Sequence, residues 1–315
     1  MEDLPIDISI ITVNYNGWKD TREFLDSCIQ HIHSVSYELI VVDNASQTDE
    51  ALSMQQLYPQ VKVIRNDKNL GFAGANNKGM EIAQGKYWFF LNNDTLIEKD
   101  TFQNLIKRLE SDPQIAGVSP LIRDCNQHRT IQYAGYTPLS AITLRNRAIG
   151  EGTTDASAFP AKETPYLHGA AMLFKREAIQ KVDKMPEIFF LYYEELDWCS
   201  AMNRQGYTLW IEPSCEILHK GSSTIGDTSP LKAFYLSRNR LLYAYRNRTG
   251  LIRILSILYL LWSTFTFCSD ATSTTLSGLW GQAIIGFNVD RSMSMIRSYT
   301  ASGSDSSATK SAPLP

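Results

Sequence analysis

Residues 87–95 read YWFFLNNDT, and this stretch decides the fold. An unbroken aromatic and aliphatic run with no alternation describes a strand buried on both faces of a parallel sheet. The small polar residues that close it mark the strand's carboxyl end, the side on which open α/β sheets hold ligands. Asp94 therefore stands where a metal ion or a diphosphate would be met. Taken alone, Asn92, Asn93, Asp94 and Thr95 read more simply as turn chemistry before a helix, and it is the company along the chain that raises the functional reading.

On the N-terminal side, three similar units precede this strand. A β-branched run at 6–13 ends in NYNG, and 18–32 follows at helical spacing. ELIVVD at 38–43 leads into NASQTD and a helix that must stop before Pro59. A third strand at 61–65 runs into NLGFAGANNKG and a helix to about residue 83. On the C-terminal side, 100–109 reads as a helix and 116–120 as a fifth strand. Strands alternating with helices of this length imply βαβ units and a mostly parallel sheet. Periodicity fades from 123 to 165, where Gly, Thr, Ala and Pro accumulate, and the pattern predicts a long, partly mobile excursion over the site. Beyond it come a strand and helix in YLHGAAMLFKREAI, a strand-like FFLYY meeting an acidic helix start, short strands at 208–211 and 215–218, and a Tyr- and Arg-rich helix at 230–248. An apolar segment at 254–268 follows, then a Ser-rich tail from 298 expected to be disordered.

The chain has 315 residues, 43% hydrophobic and 20% charged, with a net charge of −3. That is a globular composition, and it argues against a general nucleic-acid binder, whose affinity needs clustered positive charge. The five cysteines are scattered without metal-ligand spacing, and the acidic N-terminus lacks the basic region of a secretory signal. Both point to the cytoplasm.

Three strand ends carry Asn14 and Asn16, Asp43 and Asn44, and Asn92 to Asp94. Parallel strands bring such ends to one rim, where acceptor groups bind a base, a ribose and a metal-bound diphosphate. The glycines of GFAGANNKG allow close backbone approach to a phosphate, or simply a tight turn. VNYNG, VVDNAS, NLGFAGANNKG and LNND, in this order, resemble the family 2 glycosyltransferases of the GT-A fold, above all their rhamnosyltransferase-like branch. HGAAML, FLYYEELDWC, GY and HKGSS extend the resemblance over roughly residues 6–245.

The resemblance implies a GT-A type α/β domain over 1–248, with a nucleotide-sugar half to 122 and an acceptor half beyond. A C-terminal helical extension at 249–297 follows. It implies that Asp43 contacts the nucleobase, that Asn14, Asn16, Asn44, Gly71, Asn76, Asn92 and Asn93 belong to the nucleotide site, and that Asp94 and His219 meet a divalent metal, Mg²⁺ or Mn²⁺. This chain has Asn92 where the family's metal motif begins with an acid. Mg²⁺ tolerates that, since it takes one or two carboxylates and fills its octahedron with phosphate oxygens and water. YYEELDW matches the family's Glu-Asp pair, so Glu195 is the expected general base, with Glu194 its neighbour and Asp197 a second acid one turn on. The choice between Glu195 and Asp197 stays open at this level. The implied reaction is inverting transfer of a sugar, rhamnose among the candidates, from a nucleoside diphosphate to a hydroxyl of a glycan or lipid-linked acceptor in cell-surface polysaccharide synthesis. A sugar nucleotidyltransferase or a non-catalytic nucleotide-sugar binder are the alternatives. The 254–268 run, preceded by Arg238, Arg240, Arg246, Arg248 and Arg253, is short of the ~20 apolar residues of a membrane span. It reads either as a helix lying on a membrane surface or as a buried core helix.

Overall fold

A computed structural model describes residues 6–125, 129–221 and 230–270, with side chains through residue 263. Two compact units divide the chain, one running to Leu261 and the other from Trp262 onward. The expected disordered tail from 298 lies outside the described residues.

The strands are β1 (Ile8–Asn14), β2 (Tyr37–Asp43), β3 (Lys62–Arg65), β4 (Tyr87–Leu91), β5 (Thr95–Leu96), β6 (Ile115–Asp124), β7 (Ile131–Tyr133), β8 (Lys162–Glu163), β9 (Ala171–Lys175) and β10 (Thr208–His219). The helices are α1 (Trp18–His31), α2 (Glu50–Leu57), α3 (Gly71–Ile82), α4 (Phe102–Glu110), α5 (Arg176–Val182), α6 (Glu194–Arg204), α7 (Pro230–Asn247) and α8 (Gly250–Asp270). One sheet runs in the order β3-β2-β1-β4-β9-β6-β10-β5, with β7 beside β6 and β8 beside β10. Its first four strands are parallel. β9 enters antiparallel between β4 and β6, and β10 returns parallel to β6. The sheet is therefore parallel across the half that carries the strand-end motifs and mixed beyond it.

All five residues of β4 are buried, as its unbroken apolar run requires. Trp88 and Phe90 pack with α3, α5, α6 and α7 residues such as Ala73, Ile179, Trp198 and Tyr243. Tyr87, Phe89 and Leu91 pack with Phe24 and Leu25 of α1, Met54 of α2 and Phe102 and Leu105 of α4. Two apolar layers thus clamp the sheet, and each edge-on aromatic pair within them, such as Phe90 with Trp198 at 5.5 Å, adds about 0.5–1.5 kcal/mol beyond area burial.

Three expectations change. FFLYY is not a strand: Glu187–Phe189 forms a 3-10 turn, and Phe190, Tyr192 and Tyr193 have φ of 67°, 68° and 76°. The aromatic run finds its burial against α3 and α7, which leave it no strand to pair with. The segments at 208–211 and 215–218 form a single strand, β10, kinked where the register with β6 shifts between Glu212 and Glu216. The 123–165 excursion is pinned along most of its length, by pairing of β7 with β6 and β8 with β10 and by bonds such as Ala134 N to Ile149 O and Thr137 N to Arg147 O.

Candidate active site

Strand order reverses between β1 and β4, which opens a crevice at their carboxyl ends. On one side of it the NYNG and DNAS turns are stitched together. Asn14 and Asp43 are register partners, both fully buried, and the Asn14 amide donates to Asp43 Oδ1 at 2.8 Å and to Glu50 Oε2 at 2.7 Å. Thr21 Oγ1 donates to Asn14 Oδ1, and Asn93 Nδ2 donates to Thr21 Oγ1 at 2.8 Å, so a chain of bonds crosses from β4 to β2. Asn16, exposed with φ 52°, accepts from Gln47 N, and its own amide donates to Ser46 Oγ. Asp43 also accepts from the Ser46 hydroxyl and lies 3.8 Å from Arg65 Nε. A ligand reaches this carboxylate only if Ser46 or Arg65 gives way.

Other expected nucleotide residues hold the scaffold. Asn44 donates to Asn69 Oδ1 and Gly71 O and accepts from Leu70 N, fixing the turn into α3. Gly71 adopts φ 74° and lies so close to Phe190 that a Cβ would sit 2.3 Å from its carbonyl oxygen. Its amide donates to Asn69 Oδ1, and the Phe72 amide to Phe190 O. The first amides of α3 are thus committed within the protein rather than presented to a phosphate. Asn76, 1% exposed, donates back to Phe72 O.

Across the crevice, β5 pairs with the end of β10 and sets Asp94 beside His219. The Asp94 Oδ1 to His219 Nε2 distance is 3.2 Å, yet Oδ1 is buried with no hydrogen-bond partner among the described residues. Gln132, on β7, explains the imidazole's state. Its Nε2 donates to the His219 carbonyl at 3.1 Å, and a carbonyl can only accept, so Gln132 Oε1 is the atom 2.8 Å from His219 Nδ1. Nδ1 then carries a proton, so in a neutral ring the lone pair belongs to Nε2, the nitrogen turned toward the Asp94 carboxylate. A carboxylate and an imidazole oriented by an outer partner form a donor set suited to a divalent cation. Among the described residues no cluster of three or more His, Cys, Asp or Glu gathers as a metal cage. The remaining ligands of such an ion would come from diphosphate and water.

His168 and Tyr136 line the same region. Their rings stack at 5.9 Å, and His168 meets His219 edge-on at 5.9 Å. His168 Nδ1 accepts from Ala170 N, and burial holds its pKa down to about 3, so the ring is neutral. Sequence reading missed Gln132, Tyr136 and His168. The first two lie in the stretch without periodicity, and only the HGAAML match touched the third.

The start of α6 separates the three acids. Asp197 is 2% exposed and accepts from Arg246 Nε and Nη2 at 3.1 and 2.9 Å and from Asn247 Nδ2 at 2.6 Å. Glu194 is 3% exposed, its Oε2 has no partner, and burial followed by the charge of Glu195 pushes its pKa well above the carboxylate range. Glu195 is half-buried, and a Cβ on Gly169 would lie 3.8 Å from its Cγ. Burial raises its pKa to about 7, against the opposing pull of backbone amides in the first turn. Among the described residues no cation pairs with it. Asn239, fully buried on α7, donates to the carbonyls of Phe189, Leu191 and Tyr192 and so holds the left-handed loop that delivers these acids.

A family model described as glycosyl transferase family 2 matches residues 9–183, more than half of the chain. The low-salt glycan biosynthesis hexosyltransferase of Haloferax volcanii is 25% identical over 217 residues, covering 64% of this chain and 64% of that protein. The chain thus spans just under two thirds of that relative's length. The N-acetylglucosaminyl-diphospho-decaprenol L-rhamnosyltransferase of Mycobacterium tuberculosis is 22% identical over 241 residues, covering 70% and 78%. Among solved structures, a mannosyltransferase from Pyrobaculum calidifontis in complex with GDP-Man and Mn²⁺ superposes with a TM-score of 0.54 at 17% identity, covering 94% of this chain and 87% of that one. The fold is of the GT-A type.

Proposed function

The chain belongs to glycosyl transferase family 2, and on that premise we propose that it is an inverting, metal-dependent glycosyltransferase using a nucleoside diphosphate sugar. The observation that carries this reading is the Asp94 carboxylate, its Oδ1 buried without a hydrogen-bond partner among the described residues and 3.2 Å from His219 Nε2, on a ring that Gln132 orients. A divalent cation can take the place of a proton between a carboxylate and an imidazole nitrogen set this close. Asp94 and His219 would hold it, and when bound it supplies charge stabilisation for the departing diphosphate. Asn14, Asp43 and Ser46 form the floor on the nucleobase side, with Asn16, Asn92 and Asn93 at the rim.

In this mechanism Glu195 takes the proton of the acceptor hydroxyl as its oxygen attacks the anomeric carbon, and the bond to the diphosphate oxygen breaks on the opposite face. A sugar hydroxyl is a poor nucleophile until a positioned carboxylate accepts its proton. A pKa near 7 suits that task, since the carboxyl is then both ionised and basic at neutral pH. Gln132 keeps His219 in its ligating tautomer, and Asn239 holds the loop that aims Glu195. The relatives named above act in glycan synthesis, which supports a glycan or lipid-linked acceptor, with rhamnose among the donor sugars.

The test is nucleotide binding followed by calorimetry and by thermal shift, across UDP, dTDP and GDP sugars with Mg²⁺ or Mn²⁺. A ligand at ~100 times its dissociation constant adds about 2.7 kcal/mol of stability. Binding of the preferred donor should depend on metal, and Asp94→Asn should remove that dependence together with transfer. Metal-independent binding by the wild type, or unchanged turnover in Asp94→Asn, would sink the proposal.

A further inference from the structure

Helix α8 is amphipathic in the inverted sense. From residue 251 to 261 every exposed side chain is apolar: Leu251, Ile252, Ile254, Leu255, Leu258 and Leu261, with Leu251 69% and Leu258 58% exposed. The opposite side is seated on the domain. Ser256 is fully buried and its hydroxyl donates to Ala141 O at 2.7 Å, while Leu260 is 2% exposed. Soluble surfaces rarely leave so continuous an apolar stripe uncovered, so this one has an occupant.

The surrounding charge identifies it. Residues 230–263 contain Lys232, Arg238, Arg240, Arg246, Arg248 and Arg253 and no acid, in a chain whose net charge is −3. Arg248 Nη2 reaches the carbonyls of Leu139 and Ser140, on the loop that also receives Ser256, and that loop carries exposed Arg145 and Arg147. An apolar stripe set beside a basic stretch and the exposed Arg145 and Arg147 fits a surface that is apolar inside and anionic outside. Among the described residues no helix is long and apolar enough to cross a membrane. The portion seated on the domain, 12 residues at ~1.5 Å each, reaches about 18 Å against a hydrocarbon core of about 30 Å. A helix packed along one side also cannot be surrounded by lipid.

We propose that α8 is an interfacial docking element that lays its Leu251–Leu261 face into an anionic lipid bilayer, with the neighbouring arginines against the headgroups. The same loop ties this element to the acids of α6, since Tyr193, which immediately precedes Glu194, donates its hydroxyl to Leu144 O at 2.7 Å. If the transfer reading above holds, docking brings the acceptor side of the site to the plane in which a lipid-linked glycan lies. The docking itself does not depend on that reading.

The full-length chain is mixed with phosphatidylcholine vesicles with and without phosphatidylglycerol and sedimented, with no nucleotide present. Binding should need the anionic lipid, be released by salt, and fall by about tenfold or more in the triple variant Leu251→Ser, Ile254→Ser, Leu258→Ser. Arg145→Gln with Arg147→Gln should weaken it by about tenfold through charge alone. Both variants should keep the wild-type melting temperature and nucleotide affinity. The proposal is overturned by no vesicle binding, by equal binding of the triple variant, or by retention in alkaline carbonate, which marks a spanning segment. It is likewise overturned if the triple variant melts lower, which means the chain covers the face itself, or if the wild type is a dimer that the variant dissolves.

Discussion

The strand-end rim and the start of α6 both gather acids and amides, and they are built in opposite ways. At the rim, regular β/α units set Asn14, Thr21, Asp43, Ser46 and Asn93 into a network in which each polar group satisfies another. At α6, the backbone reaches the helix through three left-handed aromatic residues held by a buried amide, and two carboxyls are left without a cation. The first arrangement gives a rigid floor; the second gives carboxyls whose pKa values burial raises. In each region the informative residue holds a buried oxygen without a hydrogen-bond partner among the described residues, Asp94 at the rim and Glu194 at the helix. A buried polar group without a partner costs about 1–3 kcal/mol or more, so its persistence points to a ligand or a reaction.

The comparison breaks most sharply between two acids half a turn apart. Glu195→Gln should lower transfer ~10²–10⁴-fold while donor affinity is kept, because the proposed base meets the acceptor proton and not the nucleotide. Asp197→Ala should act on folding instead. It strands Arg246 and Asn247, and removing one partner of a buried pair costs about 3–5 kcal/mol, toward the lower figure here because Arg246 is 40% exposed. Steady-state kinetics and urea unfolding of both variants measure this. An inactive, fully stable Asp197→Asn beside an active Glu195→Gln would move the base half a turn along the helix.

A smaller effect is expected at the edge of the rim. Gln132→Leu removes the amide that fixes the His219 tautomer, and losing such an outer partner typically weakens metal affinity ~10–100-fold. Calorimetry of Mn²⁺-dependent nucleotide binding should register that loss with the melting temperature nearly unchanged. Equal affinity would mean either that His219 orients without Gln132 or that it does not meet the metal, and the role given to Gln132 would be withdrawn.

How far these regions were legible in the sequence follows from their construction. β4 was readable to the residue because burial on both faces leaves only apolar side chains, and the same rule located β1, β2 and the turns that carry Asn14, Asp43 and Asp94. The acids of α6 were visible as three in four residues. Their division of labour was visible only as a helical phase, in which Glu194 and Asp197 share a face and Glu195 stands about 100° away. That phase holds, with Asp197 and Glu194 buried and Glu195 beside Gly169. FFLYY misled because aromatic residues favour strands wherever a neighbour exists to pair with, and no local signal reveals that Asn239, nearly fifty residues on, takes the carbonyls. Gln132 was silent for a similar reason. Its role comes from pairing between β7 and β6, in a segment with no period to read.

The smallest expected effect concerns Glu194, and it is a matter of pH. Its folded pKa lies well above its ordinary value of 4.5, first by burial and then by the charge of Glu195, so over the range above 4.5 the native state keeps a proton that the unfolded chain has released. The contribution to stability is therefore complete below about pH 4.5 and declines as pH rises toward the folded pKa, by at most about 1.4 kcal/mol per pH unit. Glu195 contributes in the same direction, with its decline ending near pH 7. Glu194→Gln keeps the shape and removes one of these titrations. Its stability relative to the wild type, from urea unfolding between pH 5 and 8, should rise steadily with pH whatever its starting offset. A constant offset across that range would mean that Glu194 ionises in the folded protein as readily as in the unfolded one, and the division between a neutral Glu194 and an ionisable Glu195 would have to be abandoned.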